Sequence, residues 1–334
     1  MKVTATVAVL GAGSWGTALA MQLARIGHRV HLWARDPEQA RAMRATRRNR
    51  YLPGFELDAA IEPHADLDHA LDGAGRILLA VPSSAVDELV GRIAGRLDAG
   101  TGLAWASKGF EPGTGRLLSE TIRDRVGPEI PLAAVTGPSF AGEVAQGLPT
   151  AVTVAASDPE FGRAWAALLH GSSFRAYYSA DLVGAQLGGA VKNVLAIACG
   201  MADGLGLGNN TRAALITRGL AEMMRLGVAL GGRERTLMGL AGLGDLVLTC
   251  TGDASRNRQF GLALGRGAHA DRAMQEIGQV VEGYHAAEEV MRAAARGGVE
   301  MPISEQVHGI LFRGWSPARG VKVLMERELK AETE

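Results

Sequence analysis

Two rhythms of apolar and polar residues alternate along the first half of the chain. Short apolar runs, beginning with Val7-Ala8-Val9-Leu10, recur at 29–33, 76–81, 103–106, 132–136, 151–155 and 174–178. Runs of this length and continuity fit strands buried on both faces. Between several of them, apolar residues fall three and four apart, the spacing of helices that cover a sheet. The alternation predicts an α/β fold with a doubly wound, mainly parallel sheet. Breakers mark some strand ends: Pro82 follows the run at 76–81, and Ser84 with Asp87 is placed to cap the next helix. From about Asp181 the strand rhythm stops, and helical patterns take over at 212–230, 286–296 and a charged final segment, 321–334. The expected division is an α/β domain over 1–181 and an all-helical domain over 182–334, with 330–334 a frayed tail. A length of 334 residues suits two cores better than one.

The most apolar stretch, 183–202, is long enough to raise the question of a bilayer span, yet Gln186, Lys192 and Asn193 lie near its middle. Lysine at mid-bilayer is costly, so the pattern predicts a buried helix and no membrane span. Composition changes the picture little. Lys plus Arg and Asp plus Glu both number 35, which gives no net field for a nucleic acid. Cys199 and Cys250, embedded in apolar sequence, read as free thiols in a reducing compartment and not as a disulfide framework or a metal site. A strand pattern starts too soon after Met1 to accommodate a secretory leader, so the expected location is cytoplasmic. Asn209-Asn210-Thr211 is then a chance match to a glycosylation triplet.

Candidate chemistry begins where the first run meets Gly11-Ala12-Gly13-Ser14-Trp15-Gly16 and a helical stretch. Strand, glycine turn and helix in this order form a dinucleotide cradle. Gly11 permits the tight turn, Gly13 admits a pyrophosphate, and Gly16 lets the helix pack on the strand. A glycine-rich turn without ligand is the alternative. Past the second strand stand Arg35 and Asp36; an acid there accepts the ribose hydroxyls of NAD, and an arginine accommodates the phosphate of NADP. With both present, NADPH is the expected cofactor and NADH a tolerated one.

Three further clusters set polar groups in sequence that is otherwise core. Lys108 follows the run at 103–106, at the sheet end where ligands bind, and reads either as a phosphate contact or as a solvated loop lysine. Lys192 lies in a helix that is apolar or small on nearly every side. Burial lowers a lysine pKa and fits it for acid/base work at neutral pH; snorkelling along its own stem is the alternative. Asp245, a single carboxylate in apolar, glycine-rich sequence, is its natural partner. Ser255-Arg256-Asn257-Arg258 offers hydroxyl, guanidinium and amide to a small phosphate, or is a solvated loop.

Taken together, the segments 11–20, 137–143 (Gly-Pro-Ser-Phe-Ala-Gly-Glu), 189–194 (Gly-Ala-Val-Lys-Asn-Val), 213–220, 242–249 (Gly-Leu-Gly-Asp-Leu-Val-Leu-Thr) and 255–257 resemble the bacterial NAD(P)-dependent glycerol-3-phosphate dehydrogenases. The resemblance runs from the first strand to at least Gly283. It implies a Rossmann domain joined to a helical domain like that of 6-phosphogluconate dehydrogenase, with the substrate in the cleft between them. The implied reaction is reversible hydride transfer between NAD(P)H and dihydroxyacetone phosphate, giving sn-glycerol 3-phosphate for glycerophospholipid synthesis, without a metal.

Carried over residue by residue, the resemblance makes Lys192 the acid/base, with Asp245, Asn193 and Thr249 around it. Lys108, Gly137, Ser139, Ser255, Arg256 and Asn257 would hold the substrate together with Lys192 and Asp245. Ser14, Trp15, Arg35, Lys108, Ala141, Arg256, Val280 and Glu282 would join Gly11, Gly13 and Gly16 on the cofactor. Position 139 is Ser where many relatives carry Thr, and the hydroxyl is kept. A homodimer is the expectation from class. Other readings are a two-domain hydroxy-acid or 6-phosphogluconate-type dehydrogenase and, from a different class, a non-catalytic NADP sensor.

Overall fold

The computed structural model describes residues 4–328. The expected tail at 330–334 lies outside them. In the N-terminal half the strands are β1 (Thr6–Leu10), β2 (Arg29–Trp33), β3 (Arg48–Asn49), β4 (Leu52–Glu56), β5 (Ile61–His64), β6 (Arg76–Leu79), β7 (Leu103–Trp105), β8 (Leu132–Thr136), β9 (Thr150–Ala156) and β10 (Phe174–Ser179). Interleaved with them are α1 (Ser14–Arg25), α2 (Pro37–Thr46), α3 (Leu67–Leu71), α4 (Val86–Ile93), α5 (Leu118–Val126), α6 (Ala141–Gln146) and α7 (Pro159–Leu169). Beyond them come α8 (Leu182–Gly204), α9 (Gly208–Ala229), α10 (Glu234–Leu237), α11 (Asp245–Thr251), α12 (Arg256–Gly265), α13 (Ala270–Ile277), α14 (Glu282–Gly297), α15 (Pro302–Phe312) and α16 (Pro317–Met325).

Eight strands form one sheet in the order β10-β9-β8-β7-β6-β1-β2-β5. All neighbours are parallel except β8 and β9. Chain direction across the sheet reverses at β1 and β6, which opens a ligand crevice at the carboxyl ends of the strands. Val7, Val9, Val30 and Leu32 pack on one face with residues of α1 and α2. Ala8, Leu10, Leu79 and Trp105 pack on the other with residues of α3, α4 and α5. This double coverage is why the strands read as unbroken apolar runs.

Three features differ from the sequence reading. The strand in the run at 76–81 ends at Leu79 and that in the run at 103–106 at Trp105, although Ala80 N and Ala106 N still donate to neighbouring strands, to Leu10 O at 2.8 Å and Leu79 O at 2.7 Å. Ser84 does not cap the following helix. Residues Ser83–Ala85 form a separate 3₁₀ turn, α4 starts without a side-chain cap, and Asp87 instead takes a two-pronged ion pair from Arg125 at 2.7 Å. The edge strand β5 and the β3–β4 hairpin were absent from the expectation; Pro63 and Glu62 break the apolar pattern in one and short length hides the other.

The stretch expected to be a buried helix is α8, and it forms the axis of the helical half. It is long and apolar enough to cross a membrane, but 89% of its most apolar window is buried inside the protein. Asp181 caps it, accepting from Gly184 N at 2.9 Å and from Arg233 N at 2.8 Å. Phe110 and Leu117, although they belong to the N-terminal half in sequence, pack into the helical core. Glu289 of α14 accepts from Gly113 N (2.7 Å) and Gly115 N (2.9 Å), so the same loop is clasped by the second lobe.

Candidate active site

Glycine geometry builds the first part of the site. Gly11 has φ +125°, and a Cβ there would stand 2.4 Å from the Ala80 carbonyl oxygen. At Gly16 a Cβ would meet Gly11 O at 1.9 Å, so α1 is drawn tightly against the turn. Gly13, by contrast, faces open space. It is the N-cap of α1 and offers no side-chain acceptor, which leaves the first amides of the helix available to an anion. Trp15 Nε1 is buried beside the turn without a hydrogen-bond partner among the described residues. These residues fit a dinucleotide pyrophosphate.

Arg35 lies exposed just past β2. Asp36 is engaged: it caps α2 through Glu38 N (2.9 Å) and pairs with Arg50 (3.1 Å). The Glu38 amide and Arg50 hold its carboxyl below the usual range. Arg50 and Tyr51, which the sequence reading missed, belong to this corner. Arg50 stacks over the Tyr51 ring at 5.0 Å, and Ser14 Oγ donates to Tyr51 O at 2.7 Å. Only the fold could find them, since a hairpin of no recognisable pattern delivers them.

The second part lies where the lobes meet. Lys192 Nζ donates to Asp245 Oδ1 at 2.5 Å and to Thr249 Oγ1 at 3.0 Å. Lys108, from the loop after β7, reaches across to donate to the other oxygen, Asp245 Oδ2, at 2.7 Å, and to Gly137 O at 3.3 Å. One carboxylate thus serves two ammonium groups, a pairing of Asp245 with Lys108 that the sequence did not reveal. Thr249 completes the network by donating to Asp245 O at 2.6 Å. Lys192 is 7% exposed and Asp245 1%, so both charges are removed from bulk water.

Electrostatics follow from that burial. Desolvation, opposed by Asp245 and reinforced by Lys108, lowers the Lys192 amine to about 8. Burial alone would push the Asp245 carboxyl up, but Lys108 and Lys192 together outweigh it and hold the group below its ordinary value. The acid therefore stays ionised while the amine is poised for proton transfer near neutrality.

Close packing brings the remaining candidates to this point. Gly189 lets the Lys108 stem lie against α8; a Cβ there would be 3.4 Å from Lys108 Cγ and 3.1 Å from Thr136 Oγ1. That threonine hydroxyl is buried and has no hydrogen-bond partner among the described residues. Backbones of α8 and α12 approach so closely that a Cβ at Gly200 would lie 2.1 Å from Arg258 O, and one at Gly261 2.1 Å from Ile197 O. The seam carries the start of α12 to the site. Ser255 caps that helix, accepting from Arg258 N at 3.3 Å, and Arg256 donates to Gln279 at 3.3 Å. Asn193 does not touch the Lys192 amine. Instead, Asn193 Nδ2 donates to Glu282 at 3.2 Å and its carbonyl accepts from Asn257 Nδ2 at 2.9 Å. Asn257 also accepts from Gly283 N at 2.9 Å. These bonds tie Asn193, Asn257 and Glu282 into one chain beside the lysine cluster. Val280, just before it, is exposed. Ser139 Oγ donates to Gly137 O at 2.9 Å at the end of β8, and Ala141 opens α6.

Comparison with known proteins agrees with this architecture. The model for the N-terminus of NAD-dependent glycerol-3-phosphate dehydrogenases matches residues 6–162, and that for their C-terminus matches 181–322. A glycerol-3-phosphate dehydrogenase (NAD(P)+) of Stenotrophomonas maltophilia is 56% identical over 327 residues, covering 98% of this chain and 96% of its own. One of Xanthomonas campestris is 56% identical over 330 residues, 98% and 97% of the two chains. The crystal structure of glycerol-3-phosphate dehydrogenase from Coxiella burnetii superposes with a TM-score of 0.93 at 47% identity, covering 97% of this chain and 99% of that one.

Proposed function

The chain belongs to the NAD-dependent glycerol-3-phosphate dehydrogenase family, and on that premise we propose that Lys192 moves the proton in a reversible reduction of dihydroxyacetone phosphate to sn-glycerol 3-phosphate. The protein is an NAD(P)-dependent oxidoreductase with a Rossmann domain and a helical domain. Its division falls at 181/182 in our reading, supported by the Asp181 cap that starts α8.

When bound, the nicotinamide supplies or accepts the hydride. Gly11, Gly13, Ser14, Trp15 and Gly16 hold the dinucleotide at the α1 N-terminus, Arg35 takes the NADP phosphate, and Lys108, Ala141, Arg256, Val280 and Glu282 complete the cofactor side. Protonated Lys192 gives its proton to the oxygen that becomes alkoxide at C2, and the neutral amine takes it back in oxidation. Asp245 and Thr249 orient that amine, and Asn193 braces the helix beside it. Lys108, Gly137, Ser139, Ser255, Arg256 and Asn257 hold the substrate, the last three at a helix N-terminus suited to phosphate. Anchoring the phosphate lets remote binding energy place C2 against the amine. A cation fixed beside the reacting oxygen stabilises charge as it forms.

One observation carries this reading: a buried ammonium, joined to a buried carboxylate, sits where the two lobes meet. Mixing the protein with dihydroxyacetone phosphate and NADPH, then NADH, tests it. Oxidation of NADPH faster than of NADH, dependent on the triose phosphate, is the expected result; no turnover with that substrate would overturn it. A cytoplasmic homodimer feeding glycerophospholipid synthesis is part of the same proposal and rests on class; light scattering of the purified protein checks the dimer.

A further inference from the structure

A second cluster lies at the far edge of the sheet. Strands β2 and β5 pair in parallel with His31 opposite Glu62 and Trp33 opposite His64. Registered partners, and residues two apart, share one face of a sheet. His31, Glu62 and His64 therefore project together, on the face covered by α3. One ligating atom from each lies within 4.8 Å of the other two, and the imidazole centroids are 4.9 Å apart. His64 Nε2 stands 3.7 Å from Glu62 Oε1. Its residue is 8% exposed, and that nitrogen has no hydrogen-bond partner among the described residues, a state that buried polar atoms rarely occupy without reason.

The other imidazole is oriented as well. His31 Nδ1 lies 3.1 Å from Ala70 O. A carbonyl can only accept, so Nδ1 is the donor, and in the neutral ring this tautomer leaves the lone pair on Nε2. Metal-binding histidines are commonly held in this way by a backbone carbonyl.

We propose that His31, Glu62 and His64 bind one divalent ion of the zinc class, bridging β2 and the edge strand β5. Two imidazoles and one carboxylate form a donor set suited to Zn²⁺, with water in the fourth position. Tetrahedral zinc at its usual bond lengths spaces ligand atoms about 3.4 Å apart. The 3.7 Å contact is close to that, and the Glu62 side chain, 64% exposed, has room to close the rest. Two basic side chains stand nearby: the Arg44 guanidinium donates to Pro63 O at 2.6 Å, and His69 Nδ1 lies 3.8 Å from Asp66 Oδ1. The ion would fasten the last strand of the sheet, which among the described residues pairs with no strand but β2. It is independent of the Lys192 cluster.

Titration of chelator-treated full-length protein with Zn²⁺ by calorimetry, and with Co²⁺ by visible absorption, tests the site. One equivalent is expected, with tetrahedral Co²⁺ bands and a Tm that rises with free Zn²⁺. Glu62→Gln and His31→Gln should each weaken binding at least about tenfold, with metal-free dehydrogenase turnover unchanged. The proposal fails if the native protein takes up no stoichiometric ion, or if both variants bind as tightly as the native chain.

Discussion

The reactivity of Lys192 is a balance of three influences on one amine. Burial lowers its affinity for a proton, Lys108 lowers it further, and Asp245 partly restores it. Reduction needs the protonated form, so kcat for dihydroxyacetone phosphate should fall as pH rises through about 8, and kcat for glycerol 3-phosphate should rise over the same range. Asp245→Asn removes the influence that raises the amine's pKa, and both midpoints in the pH profile should move to lower pH. Lys192→Ala should reduce kcat by about 10² to 10⁴ or more, with nucleotide affinity, measured by fluorescence titration, retained. Near-normal turnover would remove Lys192 from its role. At the cofactor corner, Asp36 is already committed to a helix cap and to Arg50, and Arg35 lies exposed beside it. Arg35→Ala should therefore raise KM for NADPH much more than KM for NADH; equal effects would argue against it.

Among the elements, α8 decides the site. It places Lys192 inside the protein because its apolar surface runs all the way round, and such a helix is stable only when packed on every side. Its contact with α12 depends on Gly200 and Gly261, each facing backbone of the other helix. Gly261→Ala sets a methyl group against Ile197 O, and overpacking of this kind costs about 1–3 kcal/mol. The expected signature is a lower Tm with a raised KM for the triose phosphate, because Ser255, Arg256 and Asn257 ride on α12. A lowered Tm with unchanged KM would show that the seam matters to stability alone.

At the scale of the whole molecule, the site exists only between lobes. Asp245 comes from the helical half and Lys108 from the sheet half, and their ion pair crosses the cleft. Glu289 clasps the loop that follows Lys108 from the opposite side of the same junction. Glu289→Ala leaves the buried Gly115 amide without its acceptor, a loss of roughly 1–3 kcal/mol. Chemical denaturation should show a lower midpoint, and rescue by Glu289→Gln should be partial, since the amide still offers one acceptor.

Much of this was legible in the chain. Apolar runs located most strands because those strands are buried on both faces, and the glycine turn announced itself through spacing alone. Lys192 and Asp245 were visible as charges in sequence that had no other use for them. What stayed hidden depends on contacts between distant segments. Neither the sharing of Asp245 by two lysines, nor the chain from Asn257 through Asn193 to Glu282, nor the arrival of Arg50 and Tyr51 beside Ser14 follows from local pattern. Local sequence dictates periodicity and burial, which are properties of single elements. Which side chains meet across a cleft is set by how elements close on one another, and that is decided only when the chain is folded.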